Sequence, residues 1–102
     1  MKYNKLVRDK VIEYLKEIDK NPVYHKADEK EYWGKLKEKL QEEVKEYLEN
    51  PTKEELADIL EIVYALCKYQ KINKKELENI RKSKSKIKGK FLERIILDEA
   101  EE

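Results

Sequence analysis

The sequence predicts an all-α fold, a small helical bundle built around a central helical hairpin. Three observations carry that expectation. Apolar residues recur at helical spacing in four stretches, and cap-forming residues punctuate those stretches. The 102 residues also include only 2 Gly and 2 Pro, too few for a loop-rich or β-rich architecture. This length fits a single domain spanning residues 1–102, because domains typically run ~100–150 residues.

Val7, Val11, Tyr14, Leu15 and Ile18 share one helical face, which predicts a first helix that starts near Asp9 and is stopped by Asn21-Pro22. A linker follows through His25. Asp28 with Glu31 three residues on is the N-cap signature of a second helix. Its stripe is Trp33, Leu36, Leu40, Val44, Tyr47 and Leu48, and Asn50-Pro51 ends it. Thr52-Lys53-Glu54-Glu55 reads as a capping box opening a third helix to about Lys71. Asn73-Lys74-Lys75-Glu76 opens a fourth, through Leu77, Ile80 and Ile87 to Gly89. Phe91, Ile95, Ile96 and Leu97 form a short apolar tail before the acidic terminus.

The third helix differs from the others. Leu56, Ile59, Leu60, Val63, Leu66 and Cys67 cover one broad face, and Ile62, Ala65 and Tyr69 extend the apolar surface around a second side. Such a helix is expected to be buried on more than one side. Three short companions leave part of it uncovered, so a homodimer or higher homo-oligomer is expected.

Composition narrows the chemistry. Charged residues make up 46% of the chain, yet 24 Lys+Arg and 23 Asp+Glu nearly cancel. That balance argues against a nucleic-acid partner held by phosphate contacts. No apolar run approaches the ~18 residues of a membrane span, and the basic N-terminus lacks a signal-peptide core; a cytoplasmic, non-membrane protein is expected. One His and one Cys cannot build a zinc site from several such ligands. Cys67 falls in the apolar run Ile62–Cys67 and reads as a small buried residue rather than a nucleophile. What is left is carboxylate, amine and hydroxyl chemistry with a hard cation.

The acids are placed for that chemistry. On a helical wheel at ~100° per residue, Glu43 lies at the edge of the second helix's core stripe and Glu46 falls beside it, one turn along. Glu42 points to nearly the opposite side. On the third helix Glu55 and Asp58 are spaced in the same way, and Asp58 shares its side with Ile62, Ala65 and Tyr69. Two helices joined at Asn50-Pro51 should pack antiparallel. Glu46 and Glu43 lie 4 and 7 residues from Asn50 on one arm, Glu55 and Asp58 lie 5 and 8 residues on the other. Four carboxylates then converge, repel one another and invite a divalent cation; Mg²⁺ suits oxygen ligands of this kind. An ExxE pair alone carries no signal in a chain this rich in Glu, where most such pairs are a solvated helix face. Asp58 is harder to dismiss, because Asp disfavours helix interiors and is costly among apolar neighbours unless paired or metal-bound.

Glu42-Glu43-Val44-Lys45-Glu46 followed by Glu55-Leu56-Ala57-Asp58 resembles the EExxE…ExxD signature of the all-α nucleoside triphosphate pyrophosphohydrolases, the MazG-like superfamily that includes the phosphoribosyl-ATP pyrophosphohydrolases. Lys5-Leu6-Val7-Arg8-Asp9-Lys10 and Lys84…Lys88-Gly89-Lys90-Phe91…Arg94-Ile95…Leu97 resemble a short single-domain, house-cleaning branch, so the likeness covers nearly the whole chain. Lys90 departs from that branch, which commonly has a second Gly there. The resemblance implies Mg²⁺-dependent cleavage between the α- and β-phosphates, giving nucleoside monophosphate and pyrophosphate, with Mn²⁺ as a substitute ion. It implies Glu43, Glu46, Glu55 and Asp58 as the metal-binding and catalytic residues. The substrate that the resemblance implies is a nucleoside triphosphate, normal or damaged; the alternatives are phosphoribosyl-ATP as substrate, or a non-catalytic helical interaction module.

Arg81, Lys82, Lys84, Lys86, Lys88, Lys90 and Arg94 form a dense basic segment. Cations at a helix C-terminus are favoured by the macrodipole without any ligand, whereas a functional role would set them against phosphate oxygens. Lys84, Lys88 and Arg94 match the family pattern and are the expected substrate-binding residues, with Arg8 and Lys10 next. Tyr32 and Trp33 offer rings to a base, but Trp33 lies on the core stripe, where packing is expected. His25 reads as a surface residue.

Overall fold

Asp28, Thr52 and Asn73 each accept a hydrogen bond from the backbone N–H three residues on, at 2.8 Å from Glu31, 3.2 Å from Glu55 and 2.7 Å from Glu76. These caps start the three long helices where the sequence places them. In the computed structural model, which describes residues 2–101, the elements are α1 (Val11–Glu17), α2 (Glu29–Glu49), α3 (Lys53–Tyr69) and α4 (Lys74–Lys88). The described residues contain no strand. None of these helices is long and apolar enough to cross a membrane.

Two helices stop earlier than the sequence predicts. After α1 the Lys20 N–H donates to the Leu15 carbonyl at 3.0 Å and the Asp19 N–H to Lys16 at 3.1 Å. Asp19 sits at φ 55. This Schellman closure ends the helix before Asn21-Pro22 is reached. After α3 the Ile72 N–H donates to the Cys67 carbonyl at 2.8 Å and the Lys71 N–H to Lys68 at 3.3 Å. Lys71 stands at φ 61, a position usually given to Gly, so α3 closes at Tyr69 rather than Lys71. α4 ends as expected, with Gly89 at φ 87.

The packed centre is the antiparallel hairpin of α2 and α3. At its open end Trp33 stacks on Tyr69, ring centroids 4.8 Å apart and planes 9° from parallel, with Tyr32 edge-on to the same ring at 5.7 Å. Lys37 Nζ lies 4.7 Å from the Trp33 ring centroid. Trp33 is thus a packing residue with a cation on its ring. α4 packs against α3, and Lys74 Nζ sits 4.2 Å from the Tyr64 ring centroid.

The core is thin. Leu36 is fully buried and Cys67 is 5% exposed, as expected for a small residue in an apolar run. The predicted apolar faces are covered only in part. Val7 lies ahead of α1 and, with Tyr14 and Ile18, remains exposed. Val44 and Leu48 at the end of the α2 stripe are exposed, as are Leu56 and Leu60 on α3, which are about half accessible. Phe91 and Ile95–Leu97 are at least 78% exposed. The Cα radius of gyration is 18.2 Å and the extents are 59 × 31 × 25 Å. A compact domain of this length has a radius near ~13 Å, so the chain is elongated and leaves apolar faces without a cover.

Candidate metal centre

The hairpin register that sets Trp33 against Tyr69 carries the acids together nearer the turn. Ten residues on from Trp33 is Glu43, and eleven back from Tyr69 is Asp58. Carboxylate oxygens of Glu43, Glu55 and Asp58, one from each, lie within 4.8 Å of one another. A second trio of oxygens, from Glu42, Glu43 and Glu46 on α2, meets the same limit. Glu43 belongs to both groups and joins the helices at the centre of the cluster.

The four predicted residues therefore meet through Glu43 rather than as one equidistant set. Glu46 approaches Glu43 from its own helix, whereas Glu55 and Asp58 approach it from across the hairpin. The wheel placement of Glu42 needs correcting. Instead of pointing away from the site, Glu42 has a carboxylate oxygen within 4.8 Å of oxygens of Glu43 and Glu46, and its Oε1 accepts from Lys5 Nζ at 2.9 Å.

Burial makes Glu43 the distinctive member. It is the one charged residue in the buried class among the described residues, at 7% exposure, and its Oε2 has no hydrogen-bond partner. Its Oε1 lies 3.3 Å from Lys39 Nζ. Burial pushes the Glu43 carboxyl above the usual carboxylate range. The Lys39 contact opposes that shift, while the negative charges of Glu46 and Asp58 reinforce it. Glu55 Oε2 is likewise buried and unpartnered. Its backbone N–H serves the Thr52 cap, and its carboxylate is left facing the cluster.

The counter-charges come from positions the sequence reading weighted little. Lys39 lies 3.5 Å from Glu42 Oε1 as well as against Glu43; its spacing of 4 residues before Glu43 was the available signal. Arg8 donates to Asp58 Oδ1 at 2.7 Å, with a longer 4.0 Å approach to Glu61. The Lys5 contact holds Glu42 below the usual carboxylate range and raises Lys5 in turn. Lys84, Lys88 and Arg94 lie elsewhere, on α4 and the tail. They are exposed and join no ion pair among the described residues. His25 is an exposed residue paired with Glu31 at 2.9 Å.

The donor set fits a small divalent cation. Oxygens on opposite sides of one Mg²⁺ stand ~4.2 Å apart, so the observed spacing closes with small side-chain adjustments. Two buried oxygens without donors are the groups whose desolvation a cation relieves. No protein-family model, curated protein or solved structure matches this chain.

Proposed function

We propose that this chain is a Mg²⁺-dependent nucleotide pyrophosphohydrolase that cleaves nucleoside triphosphates between the α- and β-phosphates. The observation that carries the cation part of this reading is the pair of buried, unpartnered oxygens, Glu43 Oε2 and Glu55 Oε2, offered from facing helices beside Asp58; the nucleotide part rests on the EExxE…ExxD resemblance. Glu43, Glu55 and Asp58 would hold the ion, with Glu46 at its edge; Mn²⁺ fits the same oxygens. When bound, the ion supplies Lewis-acid polarisation of a phosphate oxygen and an acidified water. Lys39 neutralises part of the cluster before any ligand arrives. Lys84, Lys88 and Arg94 are exposed and join no ion pair among the described residues, which leaves them available to an anionic ligand.

The exposed apolar faces of α2 and α3 support self-association, with a second copy over Val44, Leu48, Leu56 and Leu60. The single, buried Cys67 is compatible with a reducing, cytoplasmic setting. The deciding experiment is a pyrophosphate-release screen over normal, deaminated and oxidised nucleotides, with and without Mg²⁺. Mg²⁺-dependent release that Glu43→Gln and Asp58→Asn both abolish, with helicity intact, supports the assignment. No release from any nucleotide, or release unchanged in both variants, removes it.

A further inference from the structure

Resting on the cation reading above, we propose that Arg8 is a tethered counter-ion for the acid cluster, and that a divalent cation entering the cluster displaces it from Asp58 and loosens the segment between the Lys5 tie and α1. Residues 2–10 form no helix, and side-chain contacts to the hairpin hold them down. Arg8 binds Asp58 at 2.7 Å on α3, and Lys5 binds Glu42 at 2.9 Å on α2. Lys35 closes the third tie by donating to the Asn4 carbonyl at 2.8 Å. Two of these ties end on carboxylates of the two acid groups that share Glu43.

Asp58 is the point of conflict. The oxygen triad that suits a cation includes Asp58, and Arg8 already occupies its Oδ1. A divalent ion there would stand within a few ångströms of a guanidinium of like charge, in a half-buried site where repulsion is poorly screened. Arg8 itself is 60% exposed on its side chain and therefore free to swing into water. Glu43 is buried in the hairpin and cannot leave, so Arg8 is the partner that yields. The contact is thus the one that breaks as the cluster fills, with the Arg8 guanidinium moving into water.

Mg²⁺ alone is the probe. A fluorophore on Asp9→Cys, an exposed position next to Arg8, reports the displacement, Cys67 being buried, and calorimetry reports affinity in the full chain and in Arg8→Gln. The expected result is a fall in label anisotropy on adding Mg²⁺, together with binding by Arg8→Gln about two- to fivefold tighter, since an exposed ion pair no longer competes. Mg²⁺ binding that is equal or weaker in Arg8→Gln, or that leaves the anisotropy unchanged, overturns the counter-ion role and leaves the cation site standing. No Mg²⁺ binding by either protein overturns both.

Discussion

The rings of Trp33 and Tyr69 stack at 4.8 Å at the open end of the hairpin, in the same register in which Glu43 meets Asp58 nearer the turn. A slide of one residue along either helix would rotate the acid out of the group by ~100°. The aromatic pair is therefore expected to help position carboxylates three helical turns away.

Removing the stack should disturb both stability and the site. Trp33→Ala is expected to destabilise the protein by about 2–3 kcal/mol, below the range for a fully buried Trp because Trp33 is half-buried. It should also weaken Mg²⁺ binding, although no cluster residue is changed. Urea unfolding and calorimetry check the two effects. Lost stability with unaltered Mg²⁺ affinity would show that the register is set elsewhere.

Glu43→Gln should stabilise the cation-free protein. Burial lifts the Glu43 carboxyl above its usual range. A carboxyl raised on folding lends stability that is complete below its unfolded pKa and lost as pH rises through its folded one. Above its folded pKa the ionised form is therefore a burden, and the isosteric amide relieves it. The melting temperature of the variant should rise by about 2–6 °C, and added Mg²⁺ should no longer shift it. Thermal melts with and without Mg²⁺ measure both.

Acidification should act on the cluster in two stages. Protons compete with a cation for Glu43 at a pH above the ordinary carboxylate range, because that carboxyl is raised. Glu42 is lowered, chiefly by the Lys5 hydrogen bond, so its tie persists through that range and is lost only as pH falls through its lowered pKa. Mg²⁺ affinity should therefore fall first, with the Lys5–Glu42 contact releasing at lower pH. Calorimetry at stepwise lower pH follows the first stage, and the Glu42 carboxyl carbon shift in NMR follows the second.

Self-association has a direct readout. A single chain has a mass of 12.4 kDa, and light scattering on the native protein is expected to give a multiple of it. Leu56→Glu with Leu60→Glu should return the mass toward one chain, because both side chains are about half exposed on the uncovered α3 face. A native protein that already scatters as 12.4 kDa would leave that face without its proposed partner.

The parts legible in the sequence were those set by local chemistry. The caps at Asp28, Thr52 and Asn73 and the stops at Asn50-Pro51 and Gly89 need only neighbours a few residues away. The approach of Glu43 to Glu55 and Asp58 was legible too, because a short turn leaves little freedom in the hairpin. The early ends of α1 and α3 were not, since Asp19 and Lys71 adopt a left-handed conformation that composition does not advertise. Glu42 and Arg8 were misweighted for a different reason. Long, flexible side chains tied across 37 and 50 residues follow tertiary electrostatics, which a wheel of one helix does not contain.

All three carboxylates of the cross-hairpin triad fall within residues 43–58, on either side of one tight turn. Contacts so close along the chain need little loop closure and form early and fast. An ion seated there would fasten the hairpin before the terminal segments find their places, so folding kinetics as well as final stability should answer to the divalent content of the medium.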